Sequence, residues 1–112
     1  MKTVDLVGFD NFDDETIEEV KRKIFPLANK YKKMFGNETI QEFKLVADTF
    51  KKDGGKDLHE LIMSLNTTEG DFRVEKNGWN ILSLVDEVES NLERQVREKK
   101  EKSLKRLEGR NT

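Results

Sequence analysis

Six cations, Lys21, Arg22, Lys23, Lys30, Lys32 and Lys33, stand between residues 20 and 33 with no acid among them. A second group, Arg94, Arg97, Lys99, Lys100, Lys102, Lys105, Arg106 and Arg110, exceeds Glu93, Glu98, Glu101 and Glu108 by four over residues 91 to 112. Cations clustered in this way neutralise phosphates, and the release of counterions supplies affinity without base reading. The same residues also suit the solvated outer faces of amphipathic helices, so charge alone does not choose between the two roles. Other chemistry has little material. With no cysteine there are no disulfides, thiolate zinc sites or cysteine nucleophiles. The one histidine, His59, lacks a partner set for a triad or a metal cluster and reads as a partly buried structural residue. Asp13, Asp14 and Glu15 read as helix-start chemistry rather than paired catalytic carboxylates. Gly54-Gly55-Lys56 precedes a strand pattern, not a helix, so it is a turn and not a phosphate loop.

The elements that must position these residues follow from periodicity. Residues 3–9 alternate and are β-branched, which predicts a strand loosened at Gly8. Asp13 or Asp14 then caps a helix whose apolar face is Ile17, Val20, Ile24, Leu27, Ala28, Tyr31, Met34 and Phe35. Pro26 interrupts the donors but not the register, which predicts one bent helix ending at Gly36-Asn37. Residues 39–50 place Phe43, Leu45 and Ala47 on one side of a strand, and residues 58–67 do the same with Leu61, Met63 and Leu65. The cluster KKDGGKD joins the two as a hairpin. Residues 72–75 predict a short fourth strand, and Asn80 caps a second helix with the stripe Ile81, Leu84, Val85, Val88, Leu92 and Val96. The order is β-α-β-β-β-α, an α+β fold with a four-stranded sheet and two helices on one face. Residues 1–102 make one domain, and residues 103–112 are expected to be a basic, flexible tail.

At about 100° per residue, with Ile24 as the buried centre, Arg22 and Lys33 project outward. Lys23 and Lys30 share one flank, and Lys32 lies on the other. With Val88 buried, Arg97 points outward and Arg94 lies on an exposed flank. Two such helices present neighbouring cationic ridges. Trp79 is able to stack on a base, although its place beside a helix start better suits closing the sheet–helix edge. Phe9 and Phe12 fit either job.

The segment Gly78-Trp79-Asn80-Ile81-Leu82-Ser83-Leu84-Val85-Asp86, followed by Asn91-Leu92-Glu93-Arg94-Gln95-Val96, resembles the "D-M-Y-A-A-I-D" and "K-L-E-R-Q-L" of the ribosome hibernation-promoting factor and ribosome-associated inhibitor family. Val20, Lys23-Ile24, Leu27 and Tyr31 are similar to that family's first helix. Leu82 stands where the family usually has Tyr, and Pro26 where it has a second Lys. The resemblance implies a divergent short form that binds the small ribosomal subunit and its ribosomal RNA, occludes the channel for messenger and transfer RNAs, and silences translation under stress. It places Lys23, Arg94, Lys99, Lys100 and Lys102 on basic family positions, while Arg22, Lys30, Lys33 and Arg97 join them from the helical-face geometry.

The chain has 112 residues, a formal charge of −2 and seven Phe, enough for one modest core. No apolar run approaches the roughly 20 residues of a membrane span, and the opening MKTVDLVGFD meets acid too early for a signal peptide. These features predict a cytoplasmic, non-enzymatic domain with no cofactor, no metal, no small-molecule substrate and no membrane partner. No sequence feature specifies an oligomeric state. Two rival readings share the element order: a protein–protein interaction module, and a general double-stranded-RNA binder.

Overall fold

A computed structural model describes residues 4–36, 38–51 and 54–110, with side chains described as far as Lys99. The element order is β1 (Asp5–Val7), α1 (Asp14–Phe35), β2 (Ile40–Lys51), β3 (Asp57–Thr67), β4 (Gly70–Gly78) and α2 (Ile81–Arg110). The strands form one sheet in the order β1-β2-β3-β4. β1 pairs parallel to β2 through Asp5↔Lys44 and Val7↔Val46, and β2, β3 and β4 form an antiparallel meander. This is the α+β arrangement expected from the residue pattern.

Alternation along the strands decides which face the helices cover. Phe43, Leu45, Ala47, Leu61, Met63, Leu65, Phe72 and Val74 are buried, while the intervening residues stay open or partly open. Onto that buried face α1 packs Val20, Ile24, Leu27, Ala28 and Tyr31, and α2 packs Leu84, Val85, Val88, Leu92 and Val96. An antiparallel sheet with one solvated face needs this two-sided pattern. Near the end of α1 the aromatic rings interlock, with Tyr31 edge-on to Phe43 at 5.9 Å and Phe35 against Phe72 at 6.2 Å. Met34, expected on the buried face, is instead 40% exposed, because Phe35 fills the space at the end of the stripe.

Two boundaries differ from the sequence reading, each for a local reason, while the single helix expected through Pro26 is observed. β1 stops at Val7 because Gly8 turns with a φ of 82° and passes so close to β2 that a Cβ there would overlap the Ala47 carbonyl oxygen. β4 is nine residues long rather than four, because pairing with β3 carries the polar stretch Lys76-Asn77-Gly78 along with it. α1 is one continuous helix through Pro26, whose ring leaves the carbonyl of Arg22 without its usual donor on the exposed side.

The ends of the helices are chemically specified. Asp13 Oδ1 accepts from the Thr16 amide at 2.8 Å, and Asn80 Oδ1 accepts from the amides of Leu82 and Ser83 at 3.1 and 3.2 Å. The Gly36 amide closes α1 onto the Lys32 carbonyl at 2.9 Å, while Asn37 lies outside the described residues. Gly54 and Gly55, with φ of 91° and 78°, belong to the β2–β3 hairpin; Lys52 and Asp53 beside them lie outside the described residues. The backbone of α2 is helical to Arg110, so residues 103–110 of the expected tail continue that helix, and Asn111 and Thr112 lie outside the described residues.

Candidate nucleic-acid interface

The two helices run parallel, and two ion pairs join them. Lys23 Nζ is 2.9 Å from Asp86 Oδ1, and Lys30 Nζ is 2.7 Å from Glu93 Oε1, each pair spanning 63 residues. The flank shared by Lys23 and Lys30 is therefore the one turned towards α2. The hydrogen bond to the Asp86 carboxylate raises the Lys23 pKa above the usual lysine value. Neither lysine is a bare cation: a phosphate approaching Lys23 or Lys30 competes with a carboxylate already in place.

The other cations differ in how far they are committed. The Arg22 side chain is 69% exposed and pairs with Glu19 on the same helix. Arg94 is exposed and donates to Asn91 Oδ1 at 3.2 Å. Lys33 and Arg97 are exposed and, among the described residues, make no ion pair or side-chain hydrogen bond. The same offset of 63 places Lys33 level with Val96, next to Arg97. The Lys99 ammonium donates to the Glu69 carbonyl at 2.7 Å and sits 5.4 Å from the centre of the Phe72 ring, so it ties α2 to the β3–β4 turn. The side chains of Lys100 and Lys102 lie outside the described residues.

A count of charge by blocks includes the acids of α2 but not what they face. Asp86, Glu89 and Glu93 follow the i, i+3, i+7 spacing of one helical stripe, and that stripe faces α1. The signal was available: Asp86 and Glu93 are seven apart, as are Lys23 and Lys30. Glu89 occupies the seam between them. Its Oε1 is buried without a hydrogen-bond partner among the described residues, and burial, reinforced by Asp86 and Glu93 and opposed by Lys23, pushes its pKa up to about 7. The Tyr31 hydroxyl is likewise buried and, among the described residues, unpartnered, and desolvation with the nearby Glu93 and Glu89 charges raises its pKa.

Residues considered for other chemistry have structural places. His59 is partly buried, with Nδ1 3.0 Å from Thr49 Oγ1. Asp13 is an N-cap, and its hydrogen bonds from Thr16 lower its pKa. Among the described residues no group of three His, Cys, Asp or Glu is placed to hold a metal ion. No described helix is long and apolar enough to cross a membrane. Trp79 does not close the sheet–helix edge: it is 58% exposed, while Ile81 and Leu84 beside it are buried.

Fold and site together define a small α+β domain whose sheet supports two parallel, charge-laced helices with exposed cations near the end of α1 and midway along α2. The family model of the hibernation factor Hib, C-terminal domain, matches residues 3–111, and the chain belongs to that family. A general role in ribosome hibernation goes with that membership, in line with the resemblance carried by residues 80–96. No curated protein matches the sequence closely enough to count as a relative.

Proposed function

We propose that this domain silences ribosomes without catalysis or cofactor, by docking its helical layer against ribosomal RNA of the small subunit and occluding the channel of messenger and transfer RNAs. The partner and setting are those of a cytoplasmic stress response. The observation that carries the reading is the pair Lys33 and Arg97, two exposed cations at one level on adjacent helices with no carboxylate holding them among the described residues. Arg22, Arg94 and Lys30 extend the contact from partly committed positions, and Lys100 and Lys102 continue it along α2. Lys23 and Lys99 act mainly through their internal partners, Asp86 and Glu69. Phosphate contacts of this kind position a protein on RNA by shape rather than base sequence.

Co-sedimentation with small subunits across a salt series tests this. Lys33→Glu/Arg97→Glu should weaken binding at least about tenfold near 0.1 M salt and make log K against log salt shallower by about 1 per residue. Lys23→Gln should do far less. Equal binding by wild type and the double variant would overturn the reading. Equal affinity for any blunt RNA duplex would favour a general duplex binder, and salt-independent binding a protein partner.

A further inference from the structure

At the end of the sheet where both helices begin, a cavity of about 750 Å³ opens between α1, the β2–β3 hairpin and the start of α2. Thr49 and Lys51 line it from β2, Asp57 and His59 from β3, and Phe12 and Trp79 from the segments leading into the helices. We propose that this cavity receives one unpaired nucleobase of single-stranded RNA, stacked on Trp79. The inference rests on the ribosomal-RNA reading above and adds a second kind of contact to it.

Trp79 is the chain's single tryptophan and leaves 58% of its surface in water, although Phe9, Ile81 and Leu84 nearby are buried. Its backbone is fixed from both sides: Gly78 ends β4 in register with His59, and Asn80 caps α2. An exposed flat ring on a rigid mount is a stacking platform, and such platforms accept any base because every base has a π-face.

Phe12 packs against His59 at 5.2 Å and against Phe9 at 5.5 Å, giving the cavity an aromatic wall. His59 Nδ1 is engaged by Thr49, which leaves Nε2 without a partner among the described residues. Lys51 and Asp57 are paired positions across β2 and β3, one cation and one anion that together add no net charge. Asp14 and Glu15 stand in the first turn of α1. A free phosphate gains nothing from such surroundings, whereas a neutral base gains a ring to stack on and polar groups for its edge.

From the start of α1, Arg22 lies about 12 Å along the axis, and Arg94 lies about 20 Å along α2, at 1.5 Å per residue. A strand whose base enters the cavity has its following phosphates running towards the cations of both helices.

The lone tryptophan makes the test direct. The full chain is titrated at low salt with a single-stranded hexamer of adenosine, with adenosine monophosphate, and with a blunt RNA duplex lacking unpaired bases, reading Trp79 fluorescence. The hexamer should quench it at far lower concentration than the mononucleotide does, and the duplex should leave it unchanged. Trp79→Ala should weaken binding of a labelled hexamer about tenfold, the low end of what one stacked base contributes. Trp79→Phe should recover most of the loss. Because the indole is exposed, both variants should melt like wild type. No quenching by the hexamer, or equal hexamer affinity in Trp79→Ala, overturns the proposal, and equal potency of mononucleotide and hexamer overturns the strand as its ligand. Failure here with normal salt-sensitive ribosome binding removes the stacking site alone. Insensitivity of ribosome binding to Lys33→Glu/Arg97→Glu removes the wider reading and leaves the fluorescence result standing.

Discussion

Replacing Glu89 with Gln should flatten the pH dependence of stability between pH 5 and 8. In the folded chain the Glu89 carboxyl has its pKa raised from 4.5 to about 7, first by burial and then by Asp86 and Glu93, with Lys23 opposing. The native state therefore holds this proton more tightly than the unfolded chain does. Its contribution is complete below about pH 4.5 and is lost as pH rises through about 7. At 1.36 kcal/mol per pKa unit the ceiling is about 3.4 kcal/mol. Water reaches part of the side chain, and screening reduces this to about 1.5 kcal/mol. For a chain of 112 residues that corresponds to about 6 °C in Tm.

Thermal melts by circular dichroism in steps from pH 5 to 8 provide the assay. Glu89→Gln keeps the shape but cannot ionise, so it should match wild type near pH 5 and melt about 6 °C higher near pH 8. Subtracting the two curves removes the other carboxylates, whose titrations are common to both proteins. Parallel curves, or a variant that loses ground as pH rises, would refute the assignment of a strained charge to this seam.

Three further outcomes follow from single contacts. Gly8→Ala should cost about 3 kcal/mol, combining a positive φ with overlap on the Ala47 carbonyl, and lower Tm by about 12 °C. Asn80→Ala removes the acceptor for two amides at the start of α2 and should cost about 1 kcal/mol in a urea titration with unchanged slope. Tyr31→Phe deletes a buried hydroxyl without a partner and should leave stability unchanged or raise it by up to about 1 kcal/mol in the same titration.

How much of this was legible in the sequence depended on the range of the interaction. Alternation in 39–50 and 58–67 named the buried sheet residues correctly, because period two leaves no choice once one face is apolar. Both N-caps were readable, since Asp13 and Asn80 act within three residues of themselves. The length of β4 was not, because Lys76-Asn77-Gly78 takes its conformation from pairing with β3 rather than from its own propensity. At the candidate interface, helical geometry gave the shared flank of Lys23 and Lys30, but not what that flank faces. The answer lay 63 residues away, in acids that counted in a block total only as charge. Trp79 was misjudged for the same reason: Ile81 and Leu84 close the edge, and only the packed structure frees the indole.

The interhelical ion pairs matter more for direction than for stability. Exposed pairs of this kind contribute little, typically under about 1 kcal/mol each. Their register, however, sets α2 against α1, and so puts Arg97 beside the level of Lys33. They also spend the charge of Lys23 and Lys30 internally, next to a seam already acidic through Glu89. What remains is a gradient along the helical layer: acids in the first turn of α1, compensated charge in the middle, and further along Lys33 and Arg97, exposed and unpaired among the described residues. A uniformly cationic rod would bind a polyanion equally well in either direction and at any register. A graded one loses affinity when reversed, because its acids then meet phosphates. Under the proposed function this gradient, together with the aromatic cavity at its acidic end, fixes which way round the domain sits on RNA. That is the requirement for a wedge that must block one channel.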